Sequence, residues 1–348
     1  MFALRAGAVI YYYIMKKIVI CLLLALTLTG CAGQGRADPQ EINTITLFAM
    51  NTYMELRAYG GEAALEEAAA LIYALDGALS VTDEGSEIYA LNRDKRAALS
   101  PDAAALTGAA LTLCARTGGA LDVSIYPVSR AWGFTAGEYR VPAEEELSAL
   151  LRAVDYRRVR LEGSAAELGA DMMIDLGSVA KGYASARVVA LLRSAGVASA
   201  LVNLGGSVQT LGTKPDGSPW RVAVRDPFGD GTLGVVEAAD KAVITSGGYE
   251  RFFEQDGETY WHILDPATGR PARSGLASVT VVGEDALTCD GLSTALFVLG
   301  PERAAALWRE SCDFEAVLVT DAGDILITEG LEDSFTADRG ASVTVLRR

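Results

Sequence analysis

Apolar residues repeat with two different periods along the chain, and each period predicts a different kind of element. Between Thr44 and Tyr59 apolar and polar residues alternate, which predicts two strands joined by a turn at Asn51. From residue 62 onward apolar residues recur at helical spacing, and we expect helices over 62–78, 86–91 and 102–117. The first part of the folded chain is therefore predicted to be rich in helices.

The later part of the chain contains short β-rich runs separated by Gly, Asp and Pro. Gly205-Gly206 and Ala322-Gly323 are typical of hairpin turns, so these runs are predicted to pair antiparallel. One stretch with helical spacing, over 290–299, interrupts them. Helices early and antiparallel strands later indicate an α+β fold, with helices packed on the strands of the C-terminal part.

The segment IDLGSVAKGYASAR, residues 174–187, is predicted to turn directly from a strand end into a helix. Ser178 stands where an N-cap is expected, and Lys181 follows in the first turn. Two glycines, Gly177 and Gly182, leave room beside the free N–H groups, so the segment could bind an anion. An ordinary capped helix with a solvated lysine is the alternative.

The N-terminal run indicates export. Met15 is followed by two lysines and a short apolar run, which is typical of a signal peptide and too short to span a bilayer permanently. Leu28-Thr29-Gly30-Cys31 resembles a bacterial lipobox. Residues 1–31 are therefore predicted to be a signal peptide that starts at Met15 and leaves a lipidated Cys31, or else an uncleaved anchor. Either way, a tether over 32–43 would hold a domain over 44–335 at the cell membrane, on its extracytoplasmic side.

Composition excludes several functions. Asp and Glu number 45 against 30 Lys and Arg, a net charge of −15, which disfavours nucleic acid or an anionic lipid surface as partner of the whole protein. The chain has one histidine, His262, which excludes zinc and iron sites that need several. Cys114, Cys289 and Cys312 show no C-x-x-C spacing. Any bound metal should therefore be hard and oxygen-ligated, and Mg²⁺ is the natural candidate.

Three side chains could carry chemistry. Asp290 and Thr294 stand four residues apart on the predicted helix, so a carboxylate and a hydroxyl share one side and could bind Mg²⁺. The alternative is that Asp290 caps the helix and Thr294 is a packed surface residue. His262 ends a predicted strand and could act as a general base, although a structural histidine is the simpler interpretation. Walker A and G-x-S-x-G motifs are absent from the sequence.

Nine segments, taken in order, resemble one family, the FAD:protein FMN transferases or ApbE-type flavin transferases. They cover nearly all of residues 44–330. The segments are FAMNTYMEL, SEIYALN, GGALDVSIYPVSRAWGF, IDLGSVAKGYA, LVNLGGSVQTLG, WRVAVRDP, ITSGGYERFF, HILDPATGRP and SVTVVGEDALTCDGLSTALFVLG.

The resemblance implies an Mg²⁺-dependent enzyme that takes FAD as substrate. It would transfer FMN to a Thr or Ser hydroxyl of an exported flavoprotein and release AMP. Acceptors in this family include subunits of ion-pumping NADH:quinone and ferredoxin:NAD⁺ oxidoreductases, which agrees with a lipid-anchored enzyme outside the cytoplasmic membrane. An Mg²⁺-dependent FAD pyrophosphatase and a non-catalytic flavin-binding lipoprotein are the alternatives.

The resemblance also implies roles for particular residues. Those that match FAD-binding positions are Met50, Ala120, Leu121, Asp122, Asp175, Lys181 and the backbone of Ala272. The Ser178 carbonyl, Asp290 and Thr294 match the magnesium ligands, and His262 matches the family histidine. Thr82 stands where many members have a tyrosine that stacks on the flavin, so that ring is missing or replaced by another such as Tyr53. Ala186 replaces a common aspartate.

Overall fold

The computed structural model describes residues 41–348 except positions 136 and 339. The predicted signal peptide, Cys31 and residues 32–40 of the tether lie outside this range. The helices are α1 (Glu62–Leu79), α2 (Glu87–Asp94), α3 (Pro101–Arg116), α4 (Tyr126–Ala131), α5 (Glu144–Leu150), α6 (Gly177–Ser194) and α7 (Ala286–Glu310). The strands are β1 (Ile42–Ala49), β2 (Thr52–Tyr59), β3 (Arg96–Ala98), β4 (Arg160–Glu162), β5 (Ala165–Glu167), β6 (Ala200–Leu204), β7 (Ser207–Leu211), β8 (Trp220–Arg225), β9 (Thr232–Ala238), β10 (Ala242–Gly247), β11 (Phe252–Gln255), β12 (Glu258–Trp261), β13 (Leu276–Gly283), β14 (Phe314–Thr320), β15 (Ile325–Thr328), β16 (Phe335–Ala337) and β17 (Val343–Leu346).

Most of the strands join one large sheet. Within the described residues its order is β1-β2-β6-β7-β10-β13-β14-β15-β17, and neighbours are antiparallel except β15 and β17. Smaller sheets are β16-β9-β8, β3-β5-β4 and the pair β11-β12. This arrangement confirms the α+β class. It also differs from the predicted division, because the early strands β1 and β2 pair with the later strands through β6.

The large sheet is packed on both faces. Apolar residues of β1, β2 and β6 form a core with α1, α3 and α6, and those of β10, β13 and β14 form a second core with α7. On the opposite face the small sheet β16-β9-β8 packs valines and isoleucines against β7, β10 and β13–β15. The last strand, β17, lies beyond the predicted domain end at residue 335. No helix within the described ranges is long and apolar enough to cross a membrane.

The first hairpin follows the predicted alternation. Its turn is formed by Met50 (φ 48°) and Asn51 (φ 59°), as expected of a two-residue turn that needs positive φ at both positions. Strand β1 begins at Ile42, because Ile42 and Asn43 pair with Tyr59 and Ala58. These two residues, predicted to belong to the tether, are therefore part of the sheet.

The two helices expected beside the candidate site begin earlier than predicted. Helix α6 starts at Gly177, with Leu176 at the N-cap, so the prediction that Ser178 is the cap is wrong. Helix α7 is capped by Asp285, whose carboxylate accepts from the Thr288 N–H, which leaves Asp290 inside the second turn. The apolar spacing also underestimated α7, which continues to Glu310 after a kink at Gly300 (φ 79°).

Helices α6 and α7 touch at Gly182. A Cβ atom added there would lie 2.3 Å from the Ala286 carbonyl oxygen and 2.6 Å from Cβ of Asp290. Backbone at that distance can yield only if the helices separate, so a side chain at this position must disturb both.

We expect Gly182→Ala to lower the free energy of unfolding by about 3 kcal/mol, because the added methyl group overpacks this contact. Urea unfolding followed by circular dichroism would measure the change. Gly77→Ala is the matched control, since Gly77 also lies inside a helix but a Cβ there meets nothing within 4 Å. That control should keep or raise stability by up to about 1 kcal/mol. Equal stability of both variants would contradict the close approach of α6 and α7.

Candidate active site

A cleft of about 1020 Å³ opens at one end of the large sheet. The turns of the β1–β2 and β6–β7 hairpins, the end of β10 and the start of α6 all contribute to its wall. Nine predicted site residues line it, namely Met50, Ala120, Leu121, Asp122, Asp175, Ser178, Lys181, His262 and Thr294. Residues predicted from distant segments of the sequence are thus brought together by the fold.

Asp175 organises the start of α6. Its Oδ1 accepts from the Gly177 N–H at 2.8 Å, which satisfies one of the free donors at the helix start. Its own N–H donates to the Val123 carbonyl at 2.8 Å and so ties α6 to the segment after Ala120-Leu121. Removal of the carboxylate from water raises its pKa, an effect that the Gly177 hydrogen bond and the charge of Arg251 oppose.

Asp290 reaches α6 from α7. Its Oδ2 accepts from the Gly182 N–H at 2.8 Å, and its side chain is buried. In a regular α-helix that N–H is the donor to the Ser178 carbonyl, so here the carbonyl shares or loses its usual donor. Burial raises the pKa of Asp290 to about 6, although the nearby Lys181 and the Gly182 hydrogen bond lower it.

Thr294 stands one turn further along α7 and belongs to a hydroxyl cluster. The Ser246 hydroxyl on β10 lies 3.3 Å from the Thr294 hydroxyl and 2.7 Å from the Ser293 hydroxyl. Ser293 also donates to the Asp290 carbonyl at 2.8 Å. The cluster fixes the Thr294 side chain at the wall of the cleft, on the side of α7 that carries Asp290.

These oxygen atoms suit a hard cation. Asp290 keeps a second carboxylate oxygen that accepts no hydrogen bond from the residues the structure describes, and Asp290 competes with the Ser178 carbonyl for the Gly182 N–H. A buried carboxylate, a carbonyl and a hydroxyl are ligands that Mg²⁺ takes together with substrate phosphate oxygens. Across residues 41–348, leaving aside positions 136 and 339, no group of three His, Cys, Asp or Glu residues could hold a metal. The residues present therefore fit Mg²⁺ shared with a phosphate ligand.

His262 follows β12 and is held by backbone. Its N–H donates to the Arg251 carbonyl at 3.0 Å, and its Nδ1 lies 3.2 Å from the same oxygen. In the tautomer that makes this bond Nδ1 carries the proton, so Nε2 keeps its lone pair. Burial and the charges of Arg251 and Lys181 lower the pKa of His262 to about 4. The imidazole is therefore neutral at physiological pH and can accept a proton.

An aromatic cluster supports the hairpin that precedes His262. Phe253 of β11 stacks on Tyr260 of β12 and on Tyr139, with ring centroids 5.2 and 5.1 Å apart. Trp132 packs against Tyr260 and donates from Nε1 to the Gly269 carbonyl at 2.7 Å. Phe134 lies edge-on to His262 at 6.4 Å. Among the described strands, β11 and β12 pair only with each other. The ring contacts therefore hold this hairpin, and His262 directly after it, against the rest of the protein.

Two predicted residues are engaged elsewhere. Asp122 accepts from the N–H and hydroxyl of Ser124 and from the Tyr156 N–H, so its carboxylate organises the loop although it borders the cleft. Ala272 does not line the cleft. Its N–H donates to the Ile263 carbonyl at 2.9 Å, and its carbonyl accepts from Trp261 Nε1 at 3.1 Å. A ligand contact at Ala272 would have to share these backbone groups.

Sequence reasoning assigned no individual role to four residues that line the cleft. Tyr249, Glu250 and Arg251 line it from the segment after β10, and Arg225 lies over the Tyr249 ring at 4.9 Å. The ITSGGYERFF segment was the available signal, but neither its spacing nor its composition indicates which side chains face a ligand. Among aromatic rings, Phe48 lines the cleft, whereas Tyr53, the suggested replacement for the stacking ring, does not.

Comparisons with known proteins identify the family of this chain. The ApbE family model matches residues 50–318, more than half of the chain. A FAD:protein FMN transferase of Treponema pallidum (strain Nichols) is 32% identical over 340 residues, covering 91% of this chain and 93% of the relative. Another from Vibrio cholerae is 35% identical over 245 residues, covering 68% and 73%.

Solved structures give the same relationship. The ApbE protein of Thermotoga maritima superposes with a TM-score of 0.80 at 31% identity, covering 84% of this chain and 99% of that one. The flavin transferase ApbE of Vibrio cholerae, at 28% identity and the same coverage, gives a TM-score of 0.76. A histidine-to-glycine variant of that protein has also been solved. By family match, identity and fold alike, this chain belongs to the ApbE family.

Proposed function

We propose that this chain transfers FMN from FAD to a Thr or Ser hydroxyl of an exported flavoprotein, with Mg²⁺ bound, and releases AMP. Its curated relatives carry the name FAD:protein FMN transferase, which supports the overall reaction. The observation that carries the proposal is the cleft itself. A neutral imidazole with a free Nε2 shares it with Lys181, Ser178 and Thr294, and Asp290, which does not itself line the cleft, lies one helical turn before Thr294 on α7.

In the proposed step the acceptor hydroxyl oxygen attacks the phosphorus on the flavin side of the diphosphate. His262 Nε2 takes the hydroxyl proton as the new phosphoester bond forms. The bond between that phosphorus and the bridging oxygen breaks, and AMP leaves with the bridging oxygen. Nδ1 keeps its hydrogen bond to the Arg251 carbonyl, so the ring holds its orientation while Nε2 changes protonation.

Lys181 lies in the second turn of α6 and provides a positive charge for the diphosphate, and the start of that helix favours an anion as well. The Ser178 carbonyl, Asp290 and Thr294 would hold Mg²⁺. When bound, this ion draws negative charge from the phosphate oxygens. The aromatic cluster holds the β11–β12 hairpin, which His262 directly follows.

We also propose a location for the reaction. A lipidated Cys31 would attach the enzyme to the outer side of the cytoplasmic membrane, where exported acceptor domains fold. Ion-pumping NADH:quinone and ferredoxin:NAD⁺ oxidoreductases carry acceptor domains of this kind. Globomycin treatment of expressing cells tests the anchor, because it blocks cleavage at a lipidated cysteine and would leave a heavier precursor.

The reaction is tested with the full chain, FAD, Mg²⁺ and the flavin-carrying domain of an NADH:quinone oxidoreductase subunit. Flavin fluorescence on the denatured acceptor together with AMP is the expected result. AMP with only free FMN would instead support a pyrophosphatase. FAD that stays bound and intact would support a flavin-binding lipoprotein without turnover.

The pH dependence separates the two titrating groups. We expect kcat/KM, which reports the free enzyme, to lose its His262-dependent part only near pH 4 rather than near 6.5. Because burial raises the pKa of Asp290 to about 6, protons should compete with Mg²⁺ below that pH. Rates measured from pH 4 to 8 at two Mg²⁺ concentrations should fall on the acid side with a midpoint near pH 6, and that midpoint should shift when the Mg²⁺ concentration is changed. A fall in rate with its midpoint near pH 6.5 that is the same at both Mg²⁺ concentrations would contradict this assignment.

A further inference from the structure

Two aromatic rings stand exposed at the tip of the first hairpin. Tyr53 is 81% exposed and Phe48 is 52% exposed, and their centroids lie 5.1 Å apart in an edge-to-face arrangement. The two residues are directly paired across β1 and β2. A cross-strand aromatic pair stabilises a hairpin, but rings as exposed as these also leave apolar surface that a partner can cover.

The pair is continuous with the cleft. Phe48, Met50 and Thr52 line the cleft, while Tyr53 stands outside it on the same rim. A molecule that touched Tyr53 would therefore lie across the entrance and not within it. FAD held inside the cleft has no need of this ring, but a larger partner that covers the entrance would meet it.

The rim is rigid before any partner arrives. Strand β2 pairs with β6 over Met54–Ala58, and the Thr52 side chain packs on the neighbouring β6–β7 turn. A Cβ atom added at Gly205 of that turn would lie 2.3 Å from the Thr52 hydroxyl oxygen. A surface held in this way loses little conformational entropy on binding.

The charges beside the rings indicate the chemistry of the partner. Glu55 and Arg57 follow Tyr53 on the same face of β2 and form an ion pair at 2.7 Å, so they cancel each other. The surface thus offers two rings and one phenol hydroxyl, without net charge. An apolar segment with free backbone amides fits it better than a charged one does.

We propose that Phe48 and Tyr53 dock the acceptor flavoprotein, through an apolar segment beside the hydroxyl that receives FMN. This inference rests on the proposed function. The proposed transfer requires a protein whose hydroxyl reaches His262 Nε2 inside the cleft, and Phe48 lines that same cleft beside Tyr53.

The test compares three variants of the full chain, Tyr53→Ala, Tyr53→Phe and Ile42→Ala. Ile42 is the matched control, because it lies 41% exposed on the same face of β1 as Phe48 but at the far end of the strand. Each variant is assayed with FAD, Mg²⁺ and the acceptor domain of an NADH:quinone oxidoreductase subunit. The readouts are KM for the acceptor, KM for FAD, FAD hydrolysis without acceptor, and the thermal unfolding midpoint.

We expect Tyr53→Ala to raise KM for the acceptor about tenfold with kcat, KM for FAD and the unfolding midpoint unchanged. Tyr53→Phe should restore most of the affinity, and Ile42→Ala should match the unmodified chain. If the unmodified chain labels the acceptor but Tyr53→Ala behaves like Ile42→Ala, the docking surface alone is overturned. A parallel rise in KM for FAD would assign the ring to flavin and overturn it as well. Failure of the unmodified chain to label any acceptor overturns the proposed function, and the docking surface with it.

Discussion

Replacing His262 with alanine is expected to lower the rate of flavin transfer by about 10³, the middle of the range for loss of a general base. The imidazole holds Nε2 toward the cleft through the Arg251 carbonyl, and its lowered pKa keeps it unprotonated at pH 7. Single-turnover transfer to the acceptor domain would measure the rate. FAD affinity, followed by flavin fluorescence quenching, should change by less than about threefold, because the proposed role of the ring is to accept a proton and not to bind the diphosphate.

Imidazole added to the solution serves as the control for His262→Ala. Alanine leaves space where the ring stood, so free imidazole should restore part of the rate without changing FAD affinity. A rate that remains within about tenfold of the unmodified enzyme would contradict the general-base role. A large loss of FAD affinity would show that His262 binds substrate instead.

Asp290→Asn is expected to reduce Mg²⁺-dependent turnover by about 10³, since several kcal/mol of charge stabilisation depend on the bound ion. Asparagine has nearly the same shape and can still accept from the Gly182 N–H, so the contact between α6 and α7 should persist. Turnover measured against Mg²⁺ concentration would give both the affinity for the ion and the rate at saturation. The unfolding midpoint in the absence of Mg²⁺ should not fall.

Asp285→Asn is the matched control, because this carboxylate lies on the same helix but caps it by accepting from the Thr288 N–H. Asparagine caps helices as well as aspartate does, so activity and stability should both be kept. If Asp290→Asn retained full turnover at low Mg²⁺, the assignment of a magnesium ligand at this position would fail.

Local sequence patterns predicted the elements better than they predicted the ends of those elements. The hairpin around Asn51 and the first three helices follow directly from alternation and from the 3.6-residue period. The start of α6 does not follow from these patterns. Ser178 has the right chemistry for an N-cap, but it is Asp175 that accepts from the Gly177 N–H. Such competition between neighbouring side chains depends on backbone geometry that no local pattern specifies.

The resemblance, carried over residue by residue, singled out residues that the fold also brings together. Nine of the proposed residues do line one cleft. Spacing alone could not have placed Asp290 against Gly182, since these residues lie 108 positions apart and meet only through the packing of two helices. Nor could spacing show that the backbone groups of Ala272 are hydrogen-bonded to Ile263 and Trp261.

His262, the proposed base, directly follows a hairpin that is separate from the large sheet. Strands β11 and β12 have four residues each and are held to the rest of the protein largely by stacked rings rather than by hydrogen bonds to the large sheet. A short hairpin of this kind opens at a lower free energy than the sheet it rests on, so its amides exchange through local unfolding while the core stays protected. On warming, the enzyme would then lose its proton acceptor before it loses its fold, and inactivation would set in below the global melting temperature.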